Sequence, residues 1–247
     1  PLTLRLPAPS GMAMKERHAR VLNDNFVRWV QEHIAGAADF DATEAAELYI
    51  EHRERLSRKQ EAELDDRLQV RAAFCGAYHT FLLTESGNVY ACGLNNMGQL
   101  GLGSLDTPYT GVPLLIPTLE GRGVVSLSGG EHHSLALTED GDVYAFGRGD
   151  NNQLGLGVDI EPTPTKIPSL TGIPIRKIAS GHSQNVAVSR AGEMFAWGFG
   201  DSGQLCTGKA KDEPYPALVE VSEVASRAVL DVATGGQHTC VIAMDQP

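Results

Sequence analysis

The chain has 247 residues, 42% of them hydrophobic and 21% charged, a composition ordinary for a soluble globular protein. Its net charge of −11 opposes a broad phosphate-binding face and favours a basic partner. No apolar run approaches the ~18 residues of a membrane-spanning helix, and no secretory signal is visible, so no membrane partner is expected. Cys75, Cys92, Cys206 and Cys240 form no CxxC pair and lie in or beside apolar segments, where they are expected as reduced core thiols of an intracellular protein.

Residues 1–14, PLTLRLPAPSGMAM, read as a strand and linker or as the join of a fusion, GMAM having the look of an internal start. Pro1 in place of Met fits a partial chain. From residue 15 to 69 glycine nearly disappears and charge is dense. KERHARVLNDNFVRWVQEHIAG puts Leu22, Phe26, Trp29, Val30 and Ile34 on one helical face, with Gly36 as its stop. A second helix starts at Asp41, which has capping-box spacing to Glu44, and carries a stripe of Leu48, Tyr49, Leu56, Leu64 and Leu68. A short loop between the two predicts an antiparallel helical hairpin.

LNDNFVRWVQEHI, the following DAT and then Tyr49 resemble the central domain of nucleoporin fifty and its fungal counterpart, nucleoporin two. Trp29, His33, Asp41, Thr43 and Tyr49 fall at that family's spacing and would form a partner-docking helix, with His33 a packing residue. The resemblance implies the nuclear-pore basket and importin-dependent transport. That family's Ran-binding domain and importin-α-binding tail are not visible in this sequence.

Residues 70–247 are built on a repeat. GAYHTFLLTESGNVYACGLNNMGQLGLG starts at Gly76, GEHHSLALTEDGDVYAFGRGDNNQLGLG at Gly130 and GHSQNVAVSRAGEMFAWGFGDSGQLCTG at Gly181. A shorter copy, GGQHTCVIAMDQP, starts at Gly235, and the offsets are 54, 51 and 54 residues. A period near fifty marks a repeat architecture. Within the second copy HSLALT alternates as a strand, EDGD turns on Gly141, VYAFG is the next strand, and QLGLG sets a leucine anchor between glycines. The corresponding anchors are Leu100, Leu154 and Leu205. Between copies, the proline-bearing TGVPLLIPTL, EPTPTKIPSL and DEPYPALVEV suit outer strands. Apolar runs then lead into the next glycine, making units of about four strands, the size of a propeller blade.

This pattern resembles the regulator of chromosome condensation family, carried most specifically by VRAAFCGAYHTF at 70–81, SGGEHHS at 128–134 and SRAVLDVATGGQHT at 226–239. The expected fold is therefore mainly β, a partial β-propeller of about three to four four-stranded blades preceded by the helical hairpin. The family ring has seven blades, so the remaining blades would come from another chain or a missing segment. An open array exposes sheet edges.

The founding member of the family is an exchange factor for the small GTPase Ran. The resemblance implies nucleotide release by gripping the GTPase, without covalent chemistry. It also implies nuclear residence, at chromatin, in the nucleoplasm or at the pore basket, with Ran, importin machinery, basket nucleoporins and nucleosomal histones as partners. On that basis His132, His238 and Asn96 are the expected GTPase contacts. His79 and His133, in the recurring GxxH slot, are expected to bond backbone within their own blades. The histidine spacing forms no metal motif, GRGDNNQLGLG lacks the strand–GxxxxGK(S/T)–helix arrangement of a phosphate loop, and no catalytic group or cofactor is expected. Exchange activity is expected only from a propeller that is complete or completed by a partner. Two readings stay open: a Ran-type exchange factor, and a non-catalytic scaffold joining nuclear-pore basket components to a propeller partner.

Overall fold

The computed structural model of the chain describes residues 69–245. The helical hairpin read before residue 69, with Trp29, His33, Asp41, Thr43 and Tyr49, and the strand or linker at 1–14 lie outside the described residues. The described part is mainly β: three four-stranded antiparallel sheets and one two-stranded sheet. The first sheet holds β1 (Val70–Cys75), β2 (His79–Thr84), β3 (Val89–Leu94) and β4 (Tyr109–Leu115). The second holds β5 (Val124–Gly129), β6 (His133–Thr138), β7 (Val143–Arg148) and β8 (Ile160–Lys166). The third holds β9 (Ile175–Ser180), β10 (Gln184–Ser189), β11 (Met194–Gly198) and β12 (Glu213–Leu218). A short helix, α1 (Ser222–Ala225), leads into β13 (Arg227–Thr234) and β14 (Thr239–Asp245).

Each sheet keeps its strands in chain order, as a meander does. The first strands β1, β5, β9 and β13 lie beside one another, so the sheets stack as blades with these strands innermost. The innermost strands share a β-bulge that leaves Arg71, Val125, Arg176 and Leu230 unpaired. Arg71 uses that position to donate to the Val124 carbonyl at 3.3 Å, and Arg176 to the Leu230 carbonyl at 2.9 Å, each on the next innermost strand. The fourth strands are outermost and carry Pro113, Pro162, Pro164, Pro214 and Pro216, as expected of residues that cannot donate to a further strand.

The turn between second and third strands is written locally. Thr84, Thr138 and Ser189 end their strands and accept, through the hydroxyl, the amide of Asn88, Asp142 and Glu193 at 3.1 Å in each case. The glycine inside each turn takes a positive φ, 82° at Gly87 and 92° at Gly141. Gly141 is held by space as well: a Cβ there would stand 2.7 Å from the Ile175 amide nitrogen and 2.8 Å from the Pro174 Cα.

Strand alternation has an unusual outcome. In β6 and β10 all six residues are buried. The alternation does not divide core from solvent; it divides one neighbouring blade from the other. Phe81 and Leu83 of the first blade pack with Ala136, Tyr144 and Phe146 of the second. Leu135, Leu137 and Val143 of the second pack with Ala187, Phe195 and Trp197 of the third. Val186, Val188 and Met194 of the third pack with Val229 and Val232 of the last. The anchors Leu100, Leu154 and Leu205 are fully buried, as their place between glycines predicts. The cysteines depart from expectation: Cys75 and Cys240 are exposed, and Cys92 and Cys206 half-buried. Cys75, Cys92 and Cys240 lie in strands without being buried, and Cys240 falls on the flank of the last blade that no further described blade covers.

Removing one anchor leaves a cavity between blades. Leu154→Ala should cost about 2–5 kcal/mol by urea unfolding. Gly141→Ala should destabilise more than Gly87→Ala: both strain φ, but only at Gly141 does a Cβ meet backbone, nothing lying within 4 Å at Gly87.

Candidate functional site

The turn between the first and second strands of each blade is the GxxH segment, and the long loop between the third and fourth strands rises on the same side. This face therefore carries Asn96, His132 and His238 together. Two layers of residues divide the work within it.

The inner layer ties blades to one another. His133 is fully buried, and its Nε2 lies 2.8 Å from Asn185 Oδ1 in the next blade. Asn185 in turn donates through Nδ2 to the Gln153 carbonyl of the preceding blade at 2.7 Å. One blade earlier, His79 Nε2 meets Ser134 Oγ at 2.9 Å, and Ser134 donates to the Gln99 carbonyl at 2.8 Å. Since the serine hydrogen goes to that carbonyl, His79 must donate, which fixes its Nε2–H tautomer. In the third blade Gln184 fills the slot and donates to the Gly235 carbonyl at 2.9 Å, while Thr239 donates to the Gln204 carbonyl at 2.6 Å. The expectation of backbone bonding within the blade is thus corrected: both ring Nε2 atoms bond side chains of the next blade, and both Nδ1 atoms have no hydrogen-bond partner. The imidazole rings also lie against the glycine that opens the motif, so a Cβ at Gly130 would overlap the His133 ring.

The outer layer faces solvent. His132 stacks on Tyr78 of the first blade, with ring centroids 5.4 Å apart and planes at 30°. Gln99, fully buried, donates through Nε2 to Asn96 Oδ1 at 3.0 Å and lies 3.4 Å from His132 Nδ1, so one amide joins two of the sequence-assigned residues. On the other side Glu131 lies 4.0 Å from His132 and 2.9 Å from His182 Nε2 of the third blade. His132 is therefore held by the first blade and by Glu131 of its own, which in turn reaches the third, while its side chain stays 17% exposed. Asn96 is exposed. His238 is exposed too, on the last blade, but the repeat register places it in the slot of His79, His133 and Gln184 rather than beside His132. Further along the face Arg148 and Asp150 pair at 2.7 Å, which raises the arginine pKa and lowers that of the carboxyl. Among the described residues no group of three His, Cys, Asp or Glu side chains is placed to hold a metal ion. A pocket of about 380 Å³ beside Met194, Val224 and Arg227 is lined by none of these residues.

The RCC1-like domain family matches residues 34–241. The chain belongs to the RCC1-like domain family. It is 38% identical over 187 residues to the regulator of chromosome condensation of Mus musculus, covering 73% of this chain and 43% of the mouse protein. It is 35% identical over 193 residues to the ultraviolet-B receptor UVR8 of Arabidopsis thaliana, covering 77% of this chain and 42% of that one. The fold matches the solved structure of Prp20p from Saccharomyces cerevisiae with a TM-score of 0.68 and 25% identity, over 72% of this chain and 44% of the yeast protein. The structure of that yeast protein was described together with its binding properties to Gsp1p and histones, and the protein has also been solved bound to Kap60. This RCC1-like chain thus spans less than half the length of these relatives. The regulator and the light receptor share the repeat, so the repeat alone gives the fold and not the activity.

Reading this RCC1-like repeat by sequence located His132 and Asn96 on one face but missed Tyr78, Gln99, Glu131 and His182. The signal for Gln99 was available: Gln99, Gln153 and Gln204 recur before the leucine anchor in every full copy. Glu131 and His182 left no such signal, because they occupy the positions of the motif that vary between copies.

Burial, with the nearby His133 and His132, lowers the His79 pKa from 6.5 to about 3. Burial lowers His133 to about 4, although its bond to Asn185 pulls the other way. Both rings are neutral in the fold, while the unfolded chain protonates them near 6.5, so the unfolded state binds more protons as pH falls below that value. Stability is therefore lost from about pH 6.5 down towards pH 4, by up to about 1.4 kcal/mol per pH unit for each ring. Replacing both by the residue the third blade uses, His79→Gln with His133→Gln, should flatten this slope in urea unfolding at pH 7 and pH 5. An unchanged slope would assign the acid sensitivity elsewhere.

Proposed function

We propose that this RCC1-like chain acts in the nucleus on a small GTPase of the Ran type, promoting release of its bound GDP through the face that carries Asn96, His132 and His238. The observation that carries the reading is His132 itself. A solvent-facing imidazole is fixed by Tyr78 and Gln99 from one blade and tied through Glu131 to His182 of another. Such a ring is preorganised for a partner, because little side-chain freedom remains to be lost on binding. Asn96 adds an exposed amide and Glu131 an acceptor for a basic group. No covalent step is involved: exchange needs only that the face hold the nucleotide-free GTPase better than the loaded one. The likeness to the mouse regulator and to Prp20p, which binds Gsp1p and histones, supports the same partner class. Prp20p bound to Kap60 likewise supports the importin machinery as a partner.

In domain terms the proposal takes residues 70–247 as the partial propeller, 15–69 as a nucleoporin-like helical segment and 1–14 as an unassigned linker or strand. The RCC1-like match begins at residue 34, inside that helical segment, so the boundary and the pore-basket partners rest on the sequence resemblance alone. A second reading, a scaffold without exchange activity, is favoured by the number of blades: the described residues give three complete blades and half of a fourth.

The test uses Ran loaded with fluorescent GDP. The chain should accelerate release, His132→Ala should slow that acceleration about tenfold, the equivalent of ~1.4 kcal/mol, and adding His238→Ala should slow it further. No acceleration by the wild-type chain rejects autonomous exchange and leaves the scaffold reading.

A further inference from the structure

The row of blades ends in two unlike surfaces. On the β14 side, Cys240 and Ile242 point away from the third blade, Ile242 being 61% exposed. In the repeat register they stand where Phe81 and Leu83, Leu135 and Leu137, and Val186 and Val188 stand, all packed against a following blade. On the opposite side, Thr80 and Leu82 of the first blade are half-buried. Their counterparts Ser134 and Ala136, and Asn185 and Ala187, are buried against a preceding blade. One end has the surface that a first strand pair fits; the other end is such a strand pair.

The inter-blade hydrogen bond is open at both ends in the same sense. His238 stands in the donor slot of His79 and His133, and among the described residues its ring bonds to no one. Thr80 stands in the acceptor place of Ser134 and Asn185, and among the described residues its hydroxyl reaches Cys75 Sγ alone, at 3.9 Å. The β14 surface thus calls for a blade flank with a hydroxyl or amide at that position, and the first blade of this chain carries one to which no described blade is seated.

We propose that a second copy of this chain docks head to tail, its first blade seated on the β14 flank and its Thr80 receiving His238. Such contacts are heterologous, and two copies close a ring when each uses both ends. Two copies supply eight blade positions, within the four to eight that propellers use. The seated pair lacks one leg of the internal bond, since the half-blade has no third-to-fourth-strand loop to supply a glutamine carbonyl. Association is therefore concentration-dependent. Seating also draws His238 from the exposed face into the blade seam. The assembly is read by mass, without a GTPase, so it stands or falls separately from exchange activity.

The experiment is light-scattering mass after gel filtration of the full chain across micromolar concentrations. Twice the chain mass is expected for the wild type. Ile242→Glu on one flank, and Leu82→Glu or Thr80→Arg on the other, should each give the single-chain mass with an unchanged circular dichroism spectrum. An equimolar mixture of Ile242→Glu and Leu82→Glu chains should restore the doubled mass, because the mixture keeps one intact pair of flanks. A single-chain mass for the wild type throughout, a continuing ladder of masses, or a dimer lost in Ile242→Glu but kept in both first-blade variants would overturn the proposal.

Discussion

The hydrogen bond from His133 to Asn185, repeated from His79 to Ser134, ties the first three blades in succession at the end where the GxxH turns lie, and Gln184 takes the same slot at the seam with the last strand pair. It is short, buried and drawn between side chains of different sheets. The strand pairs of the second and third blades have no solvent face of their own, since β6 and β10 are buried on both sides. Stability therefore comes from adjacency: a blade removed from its neighbours would expose the whole of both faces. The histidine bond adds registration to that packing. Hydrophobic contact alone tolerates sliding, whereas a donor that must meet one acceptor, itself bound to a carbonyl of the previous blade, does not.

The same turn that registers the blades builds the face that carries Asn96 and His132. One position of GxxH faces inward and locks; the two positions before it are free to differ and, apart from the buried Ser183, are at least partly exposed. In the second copy those two are Glu131 and His132, in the first Ala77 and Tyr78, in the third His182 and Ser183. Their side chains meet across blade boundaries, so the site belongs to the stack and to no single repeat. Structural and functional demands are thereby separated by one residue along the chain, which lets the outer pair vary without cost to the seam.

Much of this was legible in the sequence. The period, the strand–turn–strand order, the anchors Leu100, Leu154 and Leu205, and the proline-bearing outer strands all depend on local chemistry, which a repeated pattern displays openly. The position of His132 on a face was legible for the same reason. The seam was not. His79 and His133 read as residues that bond their own blade, because nothing in a linear pattern says that Ser134, 55 residues beyond His79, is its partner. Aligning the copies on the histidine and noting that Ser134 and Asn185 each follow it would have been the route. The exposure of Cys240 was hidden as well, since an apolar run looks the same whether or not a further blade follows it.

The placement of proline has a consequence for how this protein behaves when concentrated. Where a sheet ends at β4, β8 or β12, the outermost strand carries prolines that deny an incoming strand its amide donors. β14, with the sequence TCVIAMD, ends its sheet without one and is rich in β-forming, weakly charged residues. Among the described residues, the protection against fibrillar self-templating is thus written into the outer strand of each four-stranded blade and is not carried by the two-stranded one.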